Sequence, residues 1–339
     1  MNKRLLIINT GGTIGMRQTE HGYMPDANLL DHQLQQITEQ WGGKMPEYDV
    51  LNYSPLLDSA NFCPVDWLRI ADDIVQHYQA FDAFLVLHGT DTMAYTASAL
   101  AFMLRGLEKN VILTGSQLPL SLRRNDAREN LVTAMIIASE HHVPEVCVLF
   151  GNALLRGCRT TKTSATSFDA FVSPNAAPLA TIGTQIRVFE DRVYRPSQTD
   201  NEVSILPIQN AAVATLRLFP GLDPRVLENV LQTPLQGLVL ESYGAGNGPS
   251  HDREFLATLQ RANERGVVIV NISQCRHGSV TQNDYATGRA LADAGVVSGN
   301  DMTIEAALTK LMFLFSRELP TETIRHEIDR NLVGELTSR

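Results

Sequence analysis

The chain has 339 residues, 44% of them apolar and 19% charged. That composition excludes a disordered chain, a fibre or a coiled coil, and the length suits two domains or one large one. With 28 Lys and Arg against 37 Asp and Glu, the net charge of −9 argues against a protein built to coat nucleic acid or an anionic membrane.

Taken in chain order, the Met1–Asn9 start is basic for two residues and then apolar for four, too short for a signal-peptide core. No stretch approaches the roughly 18 apolar residues of a membrane span. Cys63, Cys147, Cys158 and Cys275 are widely spaced, without a CxxC pair or a zinc-type Cys/His pattern, and Cys147 sits in an apolar run as a core thiol. The expectation is a reduced, cytoplasmic protein without a metal site.

Several apolar runs each end in glycine and hydroxyl residues. Leu5–Ile8 leads into Asn9-Thr10-Gly11-Gly12-Thr13, and Phe84–Leu87 into His88-Gly89-Thr90-Asp91-Thr92. Val111–Leu113 leads into Thr114-Gly115-Ser116-Gln117, and Val146–Phe150 into Gly151-Asn152. Continuous Leu/Ile/Val runs of this kind fit strands buried on both faces, the parallel-sheet pattern. Between them, Trp67, Ile70, Ala71, Ile74, Val75 and Tyr78 form one apolar stripe at helical spacing within Val65–Phe81. Met93–Arg105 and Asn130–Glu140 read as further helices.

After Asp169 the pattern breaks at Pro174, Pro178, Gly183, Pro196 and Pro207, and Phe189–Pro207 reads as a connection with a hairpin just before it. A second set follows, with strands at Ala211–Leu218, Gly237–Glu241 and Gly266–Asn271. Helices are predicted at Asp223–Gln232, His251–Arg265, Ala286–Ala294, Thr303–Arg317 and Thr321–Asn331. The fold class is therefore α/β: two three-layer domains, a larger N-terminal one on a mixed or parallel sheet and a smaller C-terminal one on a parallel sheet. The boundaries read 1–190, a linker over 191–210, and 211–339.

Ligands of open parallel sheets bind outside the carboxyl ends of strands, and those ends here carry Thr10, Thr13, Thr90, Asp91, Thr92, Ser116 and Gln117. The first loop is neither G-x-G-x-x-G nor a P-loop. Met16–Pro25 after it reads as a loop. The first loop's glycines, Gly11, Gly12 and Gly15, suit either a tight turn or a backbone brought close to a ligand, with N–H groups for a developing oxyanion. Asp91 is readable as a helix cap or as a functional carboxylate. Lys162, in Arg159-Thr160-Thr161-Lys162-Thr163, is a solvated surface charge or, if partly buried beside Thr90, an amine able to take a hydroxyl proton. His88 reads as structural. There is no G-x-S-x-G elbow and no H-E-x-x-H.

Together these motifs resemble the bacterial-type L-asparaginase family, in its cytoplasmic type I branch. The matching segments are Thr10-Gly11-Gly12-Thr13-Ile14-Gly15, Leu87-His88-Gly89-Thr90-Asp91-Thr92-Met93-Ala94, Thr114-Gly115-Ser116-Gln117, Arg159-Thr160-Thr161-Lys162 and Tyr243-Gly244-Ala245-Gly246-Asn247. The resemblance implies hydrolysis of L-asparagine to L-aspartate and ammonia through a threonine acyl-enzyme, with no cofactor. It implies Thr13 as nucleophile, Tyr23 as the lid tyrosine, and Thr90 with Asp91 and Lys162 as the second catalytic set. Asp58, Ser59, Ser116 and Asp91 would bind substrate. Asn247 would reach the site from a neighbouring subunit of a homo-oligomer, dimer or tetramer. In the family's periplasmic members an acidic residue near 281–288 adds to this; here Asp284 or Tyr285 stands there. Glu241 and Cys275 end strands where an effector pocket of some type I members would form. Two other readings compete. An amidase subunit of a tRNA-dependent amidotransferase is expected to carry an extra domain before Thr10–Thr13. A non-catalytic amino-acid sensor is expected to lose Thr13, Thr90 or Lys162.

Overall fold

The computed structural model describes residues 3–20, 22–41, 45–195, 202–282, 284 and 286–338. Residues 196–201 of the expected linker, and Tyr285, lie outside the described residues. Two compact units divide the chain, Met1–Leu206 and Pro207–Arg339.

The first unit opens with strand β1 (Arg4–Gly11). A hairpin of β2 (Met16–Thr19) and β3 (Gly22–Pro25) follows, then helix α1 (Ala27–Trp41), β4 (Glu47–Leu57), α2 (Pro64–Gln76), β5 (Ala83–Leu87) and α3 (Met93–Met103). After them come β6 (Leu104–Arg105), β7 (Asn110–Thr114), α4 (Ala127–Glu140), β8 (Val146–Phe150) and β9 (Ala153–Arg156). The short strands β10 (Thr161–Lys162), β11 (Phe171–Val172), β12 (Ala180–Ile182), β13 (Ile186–Val188) and β14 (Ser204–Ile205) complete the unit.

Eight of these strands form one sheet in the order β13-β12-β9-β8-β7-β5-β1-β4. From β4 to β8 the neighbours run parallel; β8, β9, β12 and β13 pair antiparallel. Strands β5, β7 and β8 are buried at every residue, which is why they read as unbroken apolar runs. On one face, Leu5, Ile7, Leu85 and Ile112 pack with Leu30, Leu34 and Ile37 of α1 and with Leu131 and Met135 of α4. On the other face, α3 lies against β7 and β8, with α2 packed on it.

The strand order reverses at β1. The chain passes from β1 to β4 on one side of it and returns to β5 on the other. Such a reversal opens a crevice at the carboxyl ends of the flanking strands. The ends brought together there are Thr10–Thr13, Leu57–Ser59 and His88–Thr92.

The second unit consists of β15 (Val213–Arg217), α5 (Pro224–Val230), β16 (Gly237–Ser242), α6 (Arg253–Glu264), β17 (Val268–Ser273), α7 (Ala286–Asp293), β18 (Val297–Ser298), α8 (Ile304–Phe315) and α9 (Thr321–Ile328). Its four strands are parallel, in the order β15-β16-β17-β18. The α/β architecture with a large mixed sheet and a smaller parallel one is as the sequence predicts.

Three readings need correction. Met16–Pro25 is an antiparallel hairpin, not a loop: Gln18 pairs with Tyr23 and Thr19 with Gly22. Helix α1 and strand β4 have no counterpart among the elements expected from the sequence. The apolar stripe of α1 is narrow, and β4 is an edge strand in which only Tyr53 is fully buried. Among the described residues no helix is long and apolar enough to cross a membrane.

Candidate active site

The strand ends are tied together before any functional side chain is placed. The Thr10 hydroxyl donates to Leu87 O at 2.8 Å, joining the ends of β1 and β5. The Thr92 hydroxyl donates to Ser59 O at 2.7 Å, joining the loops after β5 and β4. These two hydroxyls are therefore committed to the backbone and leave the chemistry to their neighbours.

Close approach of the loops requires glycine at two points. A Cβ on Gly12, whose φ is +89°, would lie 2.5 Å from Gly89 N and 2.8 Å from His88 C. A Cβ on Gly89 would lie 2.4 Å from Ser59 Oγ. The segments carrying Thr13, Thr90 and Ser59 thus meet with no side chain between them.

Thr13 begins a 3-10 turn, Thr13–Gly15, and is half-buried. The turn is anchored by Leu120 N on Ile14 O at 3.2 Å and Asp26 N on Gly15 O at 2.9 Å. Tyr23 stands on the hairpin that follows and is 45% exposed.

The second group forms a connected cluster. Lys162 Nζ donates to Thr90 Oγ1 at 2.7 Å and to Asp91 Oδ1 at 2.8 Å. Lys162 arrives on β10, held in register by β11 through the pair Lys162–Phe171. Its side chain is 19% exposed, whereas that of Asp91 is 67% exposed. Asp91 does not cap α3, whose N-cap position is held by Thr92 with no side-chain cap hydrogen bond; its Oδ1 is spent on Lys162, and its Oδ2 has no partner among the described residues. The Thr90 hydroxyl points its own proton at Gln117 Oε1, 3.4 Å away.

Gln117 is a residue that sequence reasoning placed in a motif but not in the site. Its Nε2 donates to Ser164 O and Ser167 O at 3.3 and 3.1 Å, which leaves Oε1 facing Thr90. Its backbone is held by Asp126, 6% exposed, which accepts from Gln117 N at 2.9 Å and from Leu118 N at 3.0 Å. Asn130 completes the support, donating to Gly115 O at 2.9 Å and accepting from Gly151 N at 3.1 Å. The only signal in the sequence for these two is a pair of polar residues one turn apart at the start of an apolar helix.

Between them Ser116 is 1% exposed, and its hydroxyl has no partner among the described residues. A buried unpaired hydroxyl costs about 1–3 kcal/mol, a cost that a ligand acceptor or donor removes. Asp58 Oδ1 accepts from Ala60 N at 3.0 Å and so shapes the turn that buries Ser59.

Asn247 belongs to the second unit. It closes a small bridge with Tyr243, and its Oδ1 accepts from the Thr287 hydroxyl at 2.6 Å. The turn is further pinned by Ser273 Oγ on Gly244 O at 2.6 Å and Asn271 Nδ2 on Gly246 O at 3.1 Å. Glu241, at the end of β16, lies 3.5 Å from Arg217, and Cys275 is exposed beyond β17. Asp284 is exposed in a turn.

The model of the N-terminal asparaginase domain matches residues 4–194, and that of the glutaminase/asparaginase C-terminal domain matches 212–327. The chain belongs to the asparaginase family. It is 47% identical to L-asparaginase 1 of Escherichia coli strain K12 over 337 residues, 99% of this chain and 98% of that one. L-asparaginase I of Vibrio cholerae superposes with a TM-score of 0.91 at 42% identity, covering both chains completely. The thermostable L-asparaginase of Thermococcus kodakarensis gives 0.88 at 34% identity, over 99% of this chain and 100% of that one. These likenesses put this asparaginase in the type I branch.

Proposed function

We propose that this protein hydrolyses the side-chain amide of L-asparagine to L-aspartate and ammonia through a threonine ester. The observation that carries the reading is the Lys162–Thr90–Asp91 cluster at the reversal of strand order, in a chain 47% identical to an L-asparaginase along nearly its whole length.

In the first half-reaction the Thr13 hydroxyl attacks the side-chain carbonyl carbon, and the C–N bond breaks as ammonia leaves with one added proton. In the second, water adds to the ester carbonyl, the Thr13 C–O bond to the acyl group breaks, and aspartate departs. An alcohol nucleophile needs a proton acceptor in reach. Thr90 with Lys162 supplies one when Lys162 passes a proton to Asp91 at 2.8 Å and the amine so freed takes the hydroxyl proton that Thr90 otherwise points at Gln117. Tyr23, on the hairpin next to the Thr13 turn, is the lid residue that closes over it.

The substrate is a zwitterion. The open Oδ2 of Asp91 suits its ammonium, and the Asp58–Ser59 turn suits its carboxylate. The unpartnered Ser116 hydroxyl suits the amide. Asn247, from a neighbouring subunit of a homodimer or tetramer, closes the site. No step calls on a metal or an organic cofactor. The first unit then carries the catalytic groups and the second completes a neighbour's site, in a cytoplasmic enzyme.

The test is ammonia release by the purified protein, measured against L-asparagine and L-glutamine with and without EDTA. Turnover of asparagine that EDTA leaves unchanged is expected. No ammonia from asparagine, or inhibition by EDTA that zinc reverses, overturns the reading.

A further inference from the structure

The peptide that carries the Thr90 amide is held from beneath by a one-directional chain. The His88 Nδ1 lies 2.7 Å from Gly89 O. A carbonyl oxygen only accepts, so Nδ1 carries the proton and Nε2 of the neutral ring is left as an acceptor. Thr96 Oγ1 lies 2.8 Å from Nε2 and therefore donates to it. Thr96 in turn accepts from Trp67 Nε1, a group that only donates, at 3.1 Å. The order runs Trp67 to Thr96 to His88 to Gly89 O, and groups with a single role close both ends.

This chain is dry. His88 and Thr96 are 0% exposed and Trp67 is 7% exposed, with the Phe62 ring 4.3 Å from the imidazole. Burial pushes the imidazole down to about 4, outweighing the Gly89 hydrogen bond and the nearby Asp66, both of which push it up. The ring is thus neutral at physiological pH, as the chain requires.

The Gly89–Thr90 peptide is trans. In a trans peptide the C=O and the N–H point in opposite directions. Holding the Gly89 carbonyl on the imidazole therefore turns the Thr90 N–H away from it. That N–H donates to no described residue. On the same loop, only the absent side chains of Gly12 and Gly89 allow the Thr13 and Ser59 segments to approach.

We propose that His88, locked in its Nδ1–H tautomer through Thr96 and Trp67, is a positioning residue that presents the Thr90 N–H to the oxyanion of the tetrahedral intermediate. This rests on the amide-hydrolysis reading given above. It differs from a packing role in needing one tautomer and one donor, not merely a ring of the right size.

Three variants and two readouts test it. His88→Leu keeps an apolar filling and removes the donor. His88→Asn restores an N–H close to the Nδ1 position. Thr96→Val frees Nε2 without touching the loop. For His88→Leu, kcat on L-asparagine is expected to fall about 100-fold, the scale of one lost oxyanion donor, with KM changed by less than about threefold. His88→Asn should recover most of that loss, and Thr96→Val should cost roughly tenfold, one hydrogen bond's worth. The second readout is the 15N imidazole spectrum of the wild-type protein, in which the signal absent from His88→Asn should be the Nδ1–H tautomer. Thr96→Val serves where a His88 variant does not fold. A kcat within about twofold of wild type in folded His88→Leu or Thr96→Val, or an Nε2–H tautomer at His88, overturns the proposal. A wild-type protein that releases no ammonia from asparagine overturns the reading beneath it instead, a result separable from the tautomer signal.

Discussion

At the scale of single residues, the site works through couplings more than through isolated groups. Lys162 touches both Thr90 and Asp91, so its removal and that of Thr90 disable one device. Thr90→Val and Lys162→Met are each expected to lower kcat by roughly 10³-fold or more, and the double variant should be little worse than either single one. Steady-state kinetics on the three proteins checks this; losses that multiply would separate the two residues. The buried imidazole of His88 makes a second coupling visible in stability. Its pKa falls from the ordinary 6.5 to about 4 in the fold, so between those values the unfolded chain binds the extra proton. Stability is then complete above about pH 6.5 and declines as pH falls through 4, by about 3 kcal/mol in all. Urea midpoints measured from about pH 7.5 to 4.5 should drop more steeply for wild type than for His88→Asn; equal slopes would contradict the assignment. The threonines and Asp91 stand out in the sequence because glycine and hydroxyl residues gather at the ends of apolar runs, whereas Lys162 is singled out only by the family resemblance. Gln117, Asp126 and Asn130 are not, since their roles depend on Ser164, Ser167 and Gly151, which only the fold brings near.

At the scale of elements, the strands buried on both faces, β5, β7 and β8, are the ones the sequence shows most plainly. In helix α1 Leu30, Leu34 and Ile37 are the fully covered apolar positions among the described side chains, set among many polar ones. The hairpin β2–β3 escapes because its residues are mostly exposed and carry no apolar alternation. One element is held by charge. Lys310 on α8 pairs with Glu335 at 2.6 Å, both side chains 0% exposed, and also donates to Ile328 O at 2.8 Å and Arg330 O at 2.5 Å. Glu335 accepts from Leu332 N and Val333 N, so the pair staples the segment after α9 to α8. Breaking a buried pair leaves a bare charge, and Lys310→Met is expected to cost about 3–5 kcal/mol. Replacing both partners, Lys310→Met with Glu335→Leu, should cost less than the single change. Urea denaturation of both variants checks the order.

At the scale of the whole molecule, the proposed site draws on two subunits. The groups assigned to chemistry lie before residue 163, while Asn247 stands on a turn of the second unit pinned by Thr287, Ser273 and Asn271. With Oδ1 taken by Thr287, the Nδ2 of Asn247 is its remaining donor. A closed two-fold contact would complete both sites alike. Subunits carrying Asn247→Ala, mixed with subunits carrying Thr13→Ala, should regain activity, since one site of each heterodimer then combines an intact Thr13 with the partner's Asn247. Ammonia release after subunit exchange measures it. No regain, or full activity in a monomer by light scattering, would place each site within one chain.

The central claim is that Thr13 carries the acyl group. Its most direct test is mass spectrometry of the enzyme quenched during turnover of L-asparagine, with the adduct mapped to a peptide. The account predicts an aspartyl ester on Thr13, absent from Thr13→Ala, which should also lack turnover. An ester on Thr90 alone, or a Thr13→Ala variant that hydrolyses asparagine at the wild-type rate, would contradict it.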